Sequence, residues 1–169
     1  MYRFLSKRHS DIVDATKIFS HYNCFNPVIV GTFPIDIAIE SSDIDIIMQS
    51  DNLMSLKKKL LEDFSEYLDF EISLKEVLVC RFSHSGYPIE VYASNKPVTS
   101  LNSYRHLVIE KRLLELFSDK FREAVILLKK SGMKTEPAFA ELLDLEGNPY
   151  EALLKLERLS DGEIKSYLE

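Results

Sequence analysis

The sequence predicts an α+β protein with a small mixed β-sheet, flanking helices and a C-terminal helical layer. Apolar segments that are β-branched or alternate with polar residues, as strands do, recur between residues 28 and 93. Gly86 lies in a short turn between two of them, which indicates a hairpin. From about residue 100 the apolar residues recur at helical spacing instead. We therefore expect a single domain over residues 1–169, in which about 1–98 form the sheet core and about 99–169 the helical layer.

The composition is typical of a globular domain, because 46% of the 169 residues are hydrophobic and 28% are charged. No apolar run is long enough to span a bilayer, and the N-terminus lacks the pattern of a signal peptide. We expect a cytoplasmic protein with no membrane partner. The net charge of −6 argues against a long nucleic-acid template, which requires an excess of Lys and Arg. Two basic clusters, Lys57–Lys59 and Lys129-Lys130-Lys134, are expected on solvated helix faces.

The first predicted elements are a helix and a strand. The helix covers residues 10–22 and is capped by Ser10 or Asp11. Asn26-Pro27 ends this helix, because the residue before a proline disfavours helical geometry. The β-branched run that follows predicts a strand over residues 28–31.

The segment from residue 34 to residue 39 allows two interpretations. Apolar residues alternate there with polar or small ones, so an extended segment and a helical turn both agree with the pattern. Only a helix beginning after Thr32 would offer amide N–H groups and a dipole to a phosphate. Asp36 and Glu40 are expected at the surface. Ser41-Ser42 then form the turn into a strand over residues 43–48.

The middle of the chain predicts a helix followed by a hairpin. Asp51 is expected to cap a helix from about 52 to 67, which buries an apolar face that includes Leu53. The hairpin is predicted to consist of a strand over 75–83, a turn at 84–86 and a return strand over 87–93.

The helical layer is predicted from periodicity and from helix boundary signals. The predicted helices cover about 101–117, a segment ending at Ser131-Gly132, about 136–145 and about 149–158. Thr135 and Asn148 are expected as caps, and Pro149 suits the first position of a helix.

Asp43 and Asp45 are candidates for a metal site. Alternate side chains of a strand share a face, so the two carboxylates would lie side by side. At about 4 Å and an effective dielectric of about 20, their repulsion costs roughly 4 kcal/mol when both are charged. A hard divalent cation such as Mg²⁺ would neutralise the pair and also hold substrate phosphates.

An apolar strand that ends in Gly31-Thr32, followed by Asp43-Ile44-Asp45, resembles the signature of the nucleotidyltransferase superfamily, the DNA polymerase β-like fold. The chain resembles more closely a bacterial family of unknown function within that superfamily. The segments that carry this resemblance are Gly-Thr-Phe-Pro (31–34), Ser-Asp-Ile-Asp-Ile (42–46), Arg-His (105–106), Lys-Thr-Glu-Pro-Ala-Phe-Ala (134–140) and Asn-Pro-Tyr-Glu (148–151).

The resemblance implies a sheet of the nucleotidyltransferase type with three catalytic, metal-binding carboxylates. These are Asp43, Asp45 and Glu90, with Mg²⁺ or Mn²⁺ as the cofactor. Glu90 would complete the site beside the attacking hydroxyl and act as, or orient, the general base. The alternative for Glu90 is a structural ion pair with Arg81 across the hairpin.

The resemblance also implies a reaction, in which a nucleoside monophosphate passes from an NTP to an acceptor hydroxyl of unidentified origin. The nucleotide would bind at Gly31, Thr32 and Ser42. The acceptor would be a small molecule, a protein side chain or an RNA end. The alternative function is an inactive nucleotidyltransferase fold that binds a nucleotide or a partner protein as a regulator.

Four further residues are candidates for a substrate pocket: Arg105, His106, Lys134 and Glu136. Arg105 or His106 would face phosphates across a cleft, or His106 would be a half-buried histidine that hydrogen-bonds a neighbour. Lys134 and Glu136 form either a structural ion pair or the floor of the pocket. Glu110 and Arg112 are expected to be charges on the helix surface.

Overall fold

The computed structural model describes residues 7–168 and contains a five-stranded sheet with helices on both faces. The strands are β1 Val28–Val30, β2 Ile44–Gln49, β3 Leu68–Leu74, β4 Leu78–His84 and β5 Tyr87–Ser94. The helices are α1 Lys7–Ala15, α2 Ile18–His21, α3 Leu53–Phe64, α4 Asn102–Leu116, α5 Asp119–Lys130, α6 Thr135–Leu142, α7 Pro149–Lys155 and α8 Asp161–Lys165. No helix within this described part is long and apolar enough to cross a membrane.

The sheet is mixed, with the strand order β1-β2-β5-β4-β3. Strands β2 and β5 are parallel, and the other neighbours are antiparallel. In the parallel pair Asp45 lies opposite Glu90, and Glu90 in turn lies opposite Arg81 of β4. This register confirms the predicted mixed sheet and places the candidate carboxylates on neighbouring strands.

Among the described residues, two large hydrophobic cores lie on opposite sides of the sheet, and a smaller cluster contains Val30, Ile47 and Leu101. The first contains Ile44 and Ile46 of β2 packed against α1 to α3, for example against Leu56. The second lies among helices α4 to α8 and also takes in Ile35 and Ile37. The segment between Gly31 and Asp43 is therefore packed into the helical core.

The predicted N-terminal helix over 10–22 is wrong in two respects. It begins at Lys7, so neither Ser10 nor Asp11 caps it, and Lys17 in a left-handed conformation separates α1 from α2. A left-handed residue cannot continue a right-handed helix. In α3 the cap is Asn52, whose side chain accepts from the amide of Ser55, and not Asp51.

The structure also contains a strand that the sequence did not predict. Strand β3 lies at the edge of the sheet and alternates between exposed and half-buried residues, and Leu68 is 72% exposed. Such a strand lacks the apolar signature of a buried one. Residues 75–77, predicted to begin the hairpin, instead connect β3 to β4. The hairpin turn is centred on Ser85-Gly86, both with positive φ.

The predicted helical layer is present, but its helix starts agree only in part with the predicted caps. Asn148 caps α7 as predicted, accepting hydrogen bonds from the amides of Tyr150 and Glu151. Thr135 does not cap α6, because it is already the first helical residue. Helix α8, which the sequence analysis missed, begins at a capping box formed by Ser160 and Glu163.

Helix α4 buries a charged residue that was predicted at the surface. Val108 is exposed, whereas Glu110, predicted at the surface, is only 2% exposed. Glu110 lies one turn after His106 on a face shared with Ile109 and Leu113. The charged residues that act on it are buried Lys129 of α5 and Glu136 of α6.

Candidate functional site

A cavity of about 750 Å³ lies between the second face of the sheet and helices α4 to α6. Its sheet wall includes Gly31, Asp45 and Glu90, and its helical wall includes His106 and Glu110. The sheet wall forms because Asp45 and Glu90 point away from the first core, opposite the buried residues Ile44 and Ile89. The cavity therefore brings together residues from two halves of the chain.

Gly31 lies directly against the carboxylate of Asp45. A Cβ at this position would overlap Asp45 Oδ2 and lie 3.4 Å from Asp45 Cγ. The backbone of Gly31 also has φ +72°, which side chains other than glycine adopt only with strain. A glycine is therefore required at position 31 for the backbone to approach the carboxylate.

Asp45 lies in a strongly acidic environment. Burial raises the pKa of Asp45 to about 7, with further increases from Asp43 and Glu90, while Lys134 acts in the opposite direction. Asp43 is exposed and Asp45 half-buried, so their oxygens line the cavity at different depths. A divalent cation would relieve this repulsion, and the hard oxygen donors of Asp43 and Asp45 fit such a cation.

Glu90 has a second partner, because the guanidinium of Arg81 holds its carboxylate. Arg81 Nε donates to Glu90 Oε2 over 2.7 Å, and the second contact of the guanidinium is made to the same oxygen. The predicted ion pair with Arg81 is therefore present, and the register of the strands places Glu90 opposite Asp45. Among residues 7–168, no group of three His, Cys, Asp or Glu side chains is arranged to hold a metal ion.

Thr32 and Ser42 both line the cavity, at the two ends of the segment that connects β1 to β2. Residues Phe33–Ile35 form a single 3₁₀ turn, which Asp36 ends in a left-handed conformation. Of the two interpretations of 34–39, the helical turn is confirmed, although it is one 3₁₀ turn and not an α-helix that could present its N-terminus to a phosphate. Ser42 Oγ accepts from the amide of Ile39 over 2.9 Å, which fixes the end of the segment. Asp36 and Glu40 are exposed, as predicted.

His106 of α4 and Glu136 of α6 are neighbours in the helical wall of the cavity. His106 is 7% exposed, and its Nε2 lies 2.9 Å from the carbonyl of Tyr150, which can only accept. The other ring nitrogen, Nδ1, lies 3.5 Å from Glu136 Oε1. His106 is thus a buried histidine bonded to its neighbours and also a residue of the cavity wall.

Two charged residues of this wall were missed by the sequence analysis. Burial raises the pKa of Glu110 well above its ordinary value, and Glu136 adds to the increase. Burial lowers the pKa of Lys129 to about 8, although the surrounding carboxylates oppose the change. Lys129, predicted on a solvated face, is 6% exposed and donates to the carbonyl of Ile37 over 2.8 Å. The spacing of Glu110 four residues after His106 was the available signal.

Of the remaining candidates for the substrate pocket, two line the cavity and one does not. Lys134 is exposed and lines the cavity, and Glu136 lines it in contact with His106. Arg105 is not among the residues that line the cavity, because its guanidinium binds the carboxylate of Glu157. Arg112 pairs with Asp161 in a similar way.

Solved structures share this architecture. The GLD-2/RNP-8 complex matches with a TM-score of 0.61 at 12% identity, over 96% of this chain and 74% of that chain. The Cid1 poly(U) polymerase with bound MgGTP matches with a TM-score of 0.61 at 11% identity, over 88% of this chain and 49% of that chain. The polymerase core of TRAMP, an RNA surveillance complex, matches with a TM-score of 0.52 at 16% identity, over 97% and 54%. The chain thus spans about half the length of the latter two.

These likenesses define the class of fold, which is the α+β nucleotidyltransferase fold with a mixed five-stranded sheet. The chain belongs to the DUF4269 family, a domain of unknown function, whose model matches residues 11–156. A search of curated proteins found no match to this chain.

Proposed function

We propose that the protein is a metal-dependent nucleotidyltransferase that moves a nucleoside monophosphate from an NTP to an acceptor hydroxyl. The observation that carries the proposal is the contact between Gly31 and the Asp45 carboxylate, with Glu90 on the neighbouring strand. The similar structures support it, since they include a poly(U) polymerase solved with MgGTP.

Asp43 and Asp45 would hold Mg²⁺ or Mn²⁺, with Glu90 beside Asp45 on the neighbouring strand. When bound, the metal supplies charge stabilisation for the phosphates and for the entering and leaving oxygens. The carboxylates provide the hard oxygen donors for it, and Gly31, which carries no side chain, leaves room for the carboxylate of Asp45. Lys134, the exposed cation of the helical wall, would pair with the phosphates of the NTP.

In the proposed reaction the acceptor oxygen attacks the α-phosphorus of the NTP. A new oxygen–phosphorus bond forms, the bond from the α-phosphorus to the bridging oxygen breaks, and pyrophosphate leaves with the electron pair. Glu90 would accept the proton of the acceptor hydroxyl. Thr32 and Ser42 would position the nucleotide at the cavity entrance. The acceptor is a small molecule, a protein side chain or an RNA end.

A second candidate function is a nucleotidyltransferase fold that binds a nucleotide or partner without turnover. Two observations favour it: Arg81 occupies Oε2 of Glu90, and the residues after Thr32 form one 3₁₀ turn and no α-helix. A helix N-terminus would contribute amide donors and a positive dipole end to phosphate binding. Turnover, not nucleotide binding, separates the two functions.

The test is thermal unfolding with each of the four NTPs and Mg²⁺ or Mn²⁺, on wild type and Asp45→Asn. A ligand at a hundred times its Kd stabilises by about 2.7 kcal/mol. For a domain of this size, that raises Tm by about 5–10 °C. We expect a metal-dependent rise in wild type that is lost in Asp45→Asn.

The matched control is Asp36→Asn. Asp36 is an exposed carboxylate in the segment before β2, and it does not line the cavity. Asparagine tolerates the left-handed backbone of Asp36, so this variant should retain the rise. The absence of any shift in wild type at millimolar NTP would overturn the proposal. If nucleotide binds but pyrophosphate is not released with any of the three acceptor classes, the regulator function stands instead.

A further inference from the structure

Glu110 presents a buried carboxyl group in the helical wall of the cavity that is not fully satisfied. The residue is 2% exposed, and its Oε1 has no hydrogen-bond partner within the described chain. Buried polar atoms in folded proteins are almost always hydrogen-bonded, and an exception calls for an explanation. Glu110 lines the same cavity as Asp45, so a ligand in that cavity is within its reach.

The neighbours of Glu110 do not supply the missing bond. The buried cation Lys129 partly offsets the rise in the pKa of Glu110. Its ammonium group, however, donates to the carbonyl of Ile37 over 2.8 Å. Glu136 is a second carboxylate, and its Oε1 lies 3.5 Å from His106 Nδ1. The helical wall therefore contains a carboxyl oxygen, Glu110 Oε1, to which no donor is directed.

We propose that Glu110, together with Glu136, forms a subsite that accepts hydrogen bonds from an amino, amide or ring N–H group of a bound ligand. The proposal rests on the nucleotidyltransferase function and specifies what that function selects. A phosphate is disfavoured in this part of the cavity, because the Glu136 carboxylate would repel it. An N–H group would donate the missing hydrogen bond to Glu110 Oε1 and would add no negative charge.

Two sources would supply such a group. One is the nucleobase of the NTP, through an exocyclic amino group. The other is the acceptor, if it carries an amine beside its hydroxyl. In both cases a ligand without the N–H group leaves Oε1 unpaired, and a site that loses one hydrogen bond discriminates by about tenfold.

The experiment compares matched ligands by calorimetric titration in the presence of Mg²⁺. The nucleobase arm uses ATP against purine riboside triphosphate, and GTP against inosine triphosphate. The acceptor arm uses glucosamine against glucose. Each pair is measured on wild type, Glu110→Gln, which keeps an acceptor oxygen, and Glu110→Leu, which removes it.

We expect wild type to prefer the amino-bearing member of at least one pair by about tenfold. Glu110→Gln should retain part of this preference and Glu110→Leu none. The ligand-free Tm of Glu110→Leu should equal or exceed that of wild type, because leucine removes a buried unpaired atom. A lower Tm in Glu110→Leu with the ligand preference unchanged would assign Glu110 a structural role and overturn the subsite.

The outcomes separate the subsite from the proposed function. If the nucleotides bind but no pair is discriminated, the subsite is overturned and the nucleotidyltransferase function stands. If no nucleotide binds while glucosamine is preferred through Glu110, the subsite stands and the proposed function falls. If no probe binds wild type, both are overturned.

Discussion

The two walls of the cavity are built in different ways. On the sheet wall Asp43 and Asp45 are two residues apart, and Glu90 joins them through the register of neighbouring strands. On the helical wall His106, Glu110 and Lys129 come from two helices, and Glu136 comes from a third. The sheet wall follows from local periodicity, whereas the helical wall exists only after the helices have packed.

The charges of the two walls differ as well. The sheet wall has three carboxylates in a half-exposed setting, and one of them is paired with Arg81. The helical wall buries Glu110 and Lys129 almost completely. A bound cation would satisfy the first wall, and a hydrogen-bonding group would satisfy the second. The charges of the two walls also interact, because Asp43 and Asp45 oppose the lowering of the Lys129 pKa.

The largest expected effect comes from Gly31→Ala, which should damage the sheet wall. The added Cβ overlaps the Asp45 carboxylate at a position with φ +72°, so we expect a loss of about 3 kcal/mol and of metal-dependent nucleotide binding. The control is Gly86→Ala, where φ is +82° and no atom lies within 4 Å of the new Cβ. It should cost only about 1 kcal/mol.

Chemical denaturation of both variants measures the difference. Equal losses in Gly31→Ala and Gly86→Ala would mean that backbone strain alone explains the glycine at position 31. The contact between Gly31 and Asp45 would then have no special part in shaping the sheet wall.

An intermediate effect is expected from the titration of Asp45. Its pKa in the folded, metal-free protein is raised to about 7 from 3.8, so the folded state binds the extra proton between these values. The contribution of Asp45 to stability is therefore most favourable below about pH 4 and declines as pH rises to 7. We expect a decline of about 2 kcal/mol, allowing for partial solvent screening.

Denaturant unfolding from pH 4 to pH 8 in EDTA, on wild type and Asp45→Asn, measures this decline. Glu110 titrates in the same direction in both proteins, so the difference between their profiles below pH 7 reports Asp45, whereas Lys129, on which Asp45 acts, titrates near pH 8. Parallel profiles would show that Asp45 is ionised normally and that the acidic sheet wall carries no stored repulsion.

The smallest expected effect belongs to Arg81→Gln. The Arg81 side chain is 56% exposed, so losing its ion pair with Glu90 should change stability by less than about 1 kcal/mol. Mn²⁺ binding should become a few-fold tighter, because Glu90 is released and a positive charge is removed. Titration with Mn²⁺ detected by electron paramagnetic resonance measures this.

The control for Arg81→Gln is Arg112→Gln, which breaks the ion pair with Asp161. It should leave Mn²⁺ affinity unchanged. Weaker Mn²⁺ binding in Arg81→Gln would indicate that Arg81 orients Glu90 toward the cation and does not compete with it.

The difference between the walls also explains what could be predicted from the sequence. Asp43 and Asp45 follow a strand pattern, and Glu90, which the family resemblance implied, lies in a hairpin whose turn was recognisable. Glu110 and Lys129 were placed on the surface because charged residues are rarely buried. Only the packing of α4 against α5 and α6 overrides that rule, and single-sequence periodicity does not report packing.

The strand β3 and the break at Lys17 were missed for related reasons. An edge strand with exposed Leu68 carries little apolar signal, and a left-handed Lys17 has no composition that marks it. Both features lie away from the cavity. The fold class was therefore predicted correctly although several boundaries were not.

The segment between Gly31 and Asp43 has a consequence for the order in which the protein folds. The carbonyls of Ile35 and Ile37 accept hydrogen bonds from Arg122 and Lys129, partners 87 and 92 residues later in the chain. Contacts of such sequence separation form late, because closing long loops costs chain entropy. During synthesis, a chain released only as far as β5 has its carboxylates but lacks both donors. The cavity is therefore completed only when the C-terminal half of the chain has emerged and packed.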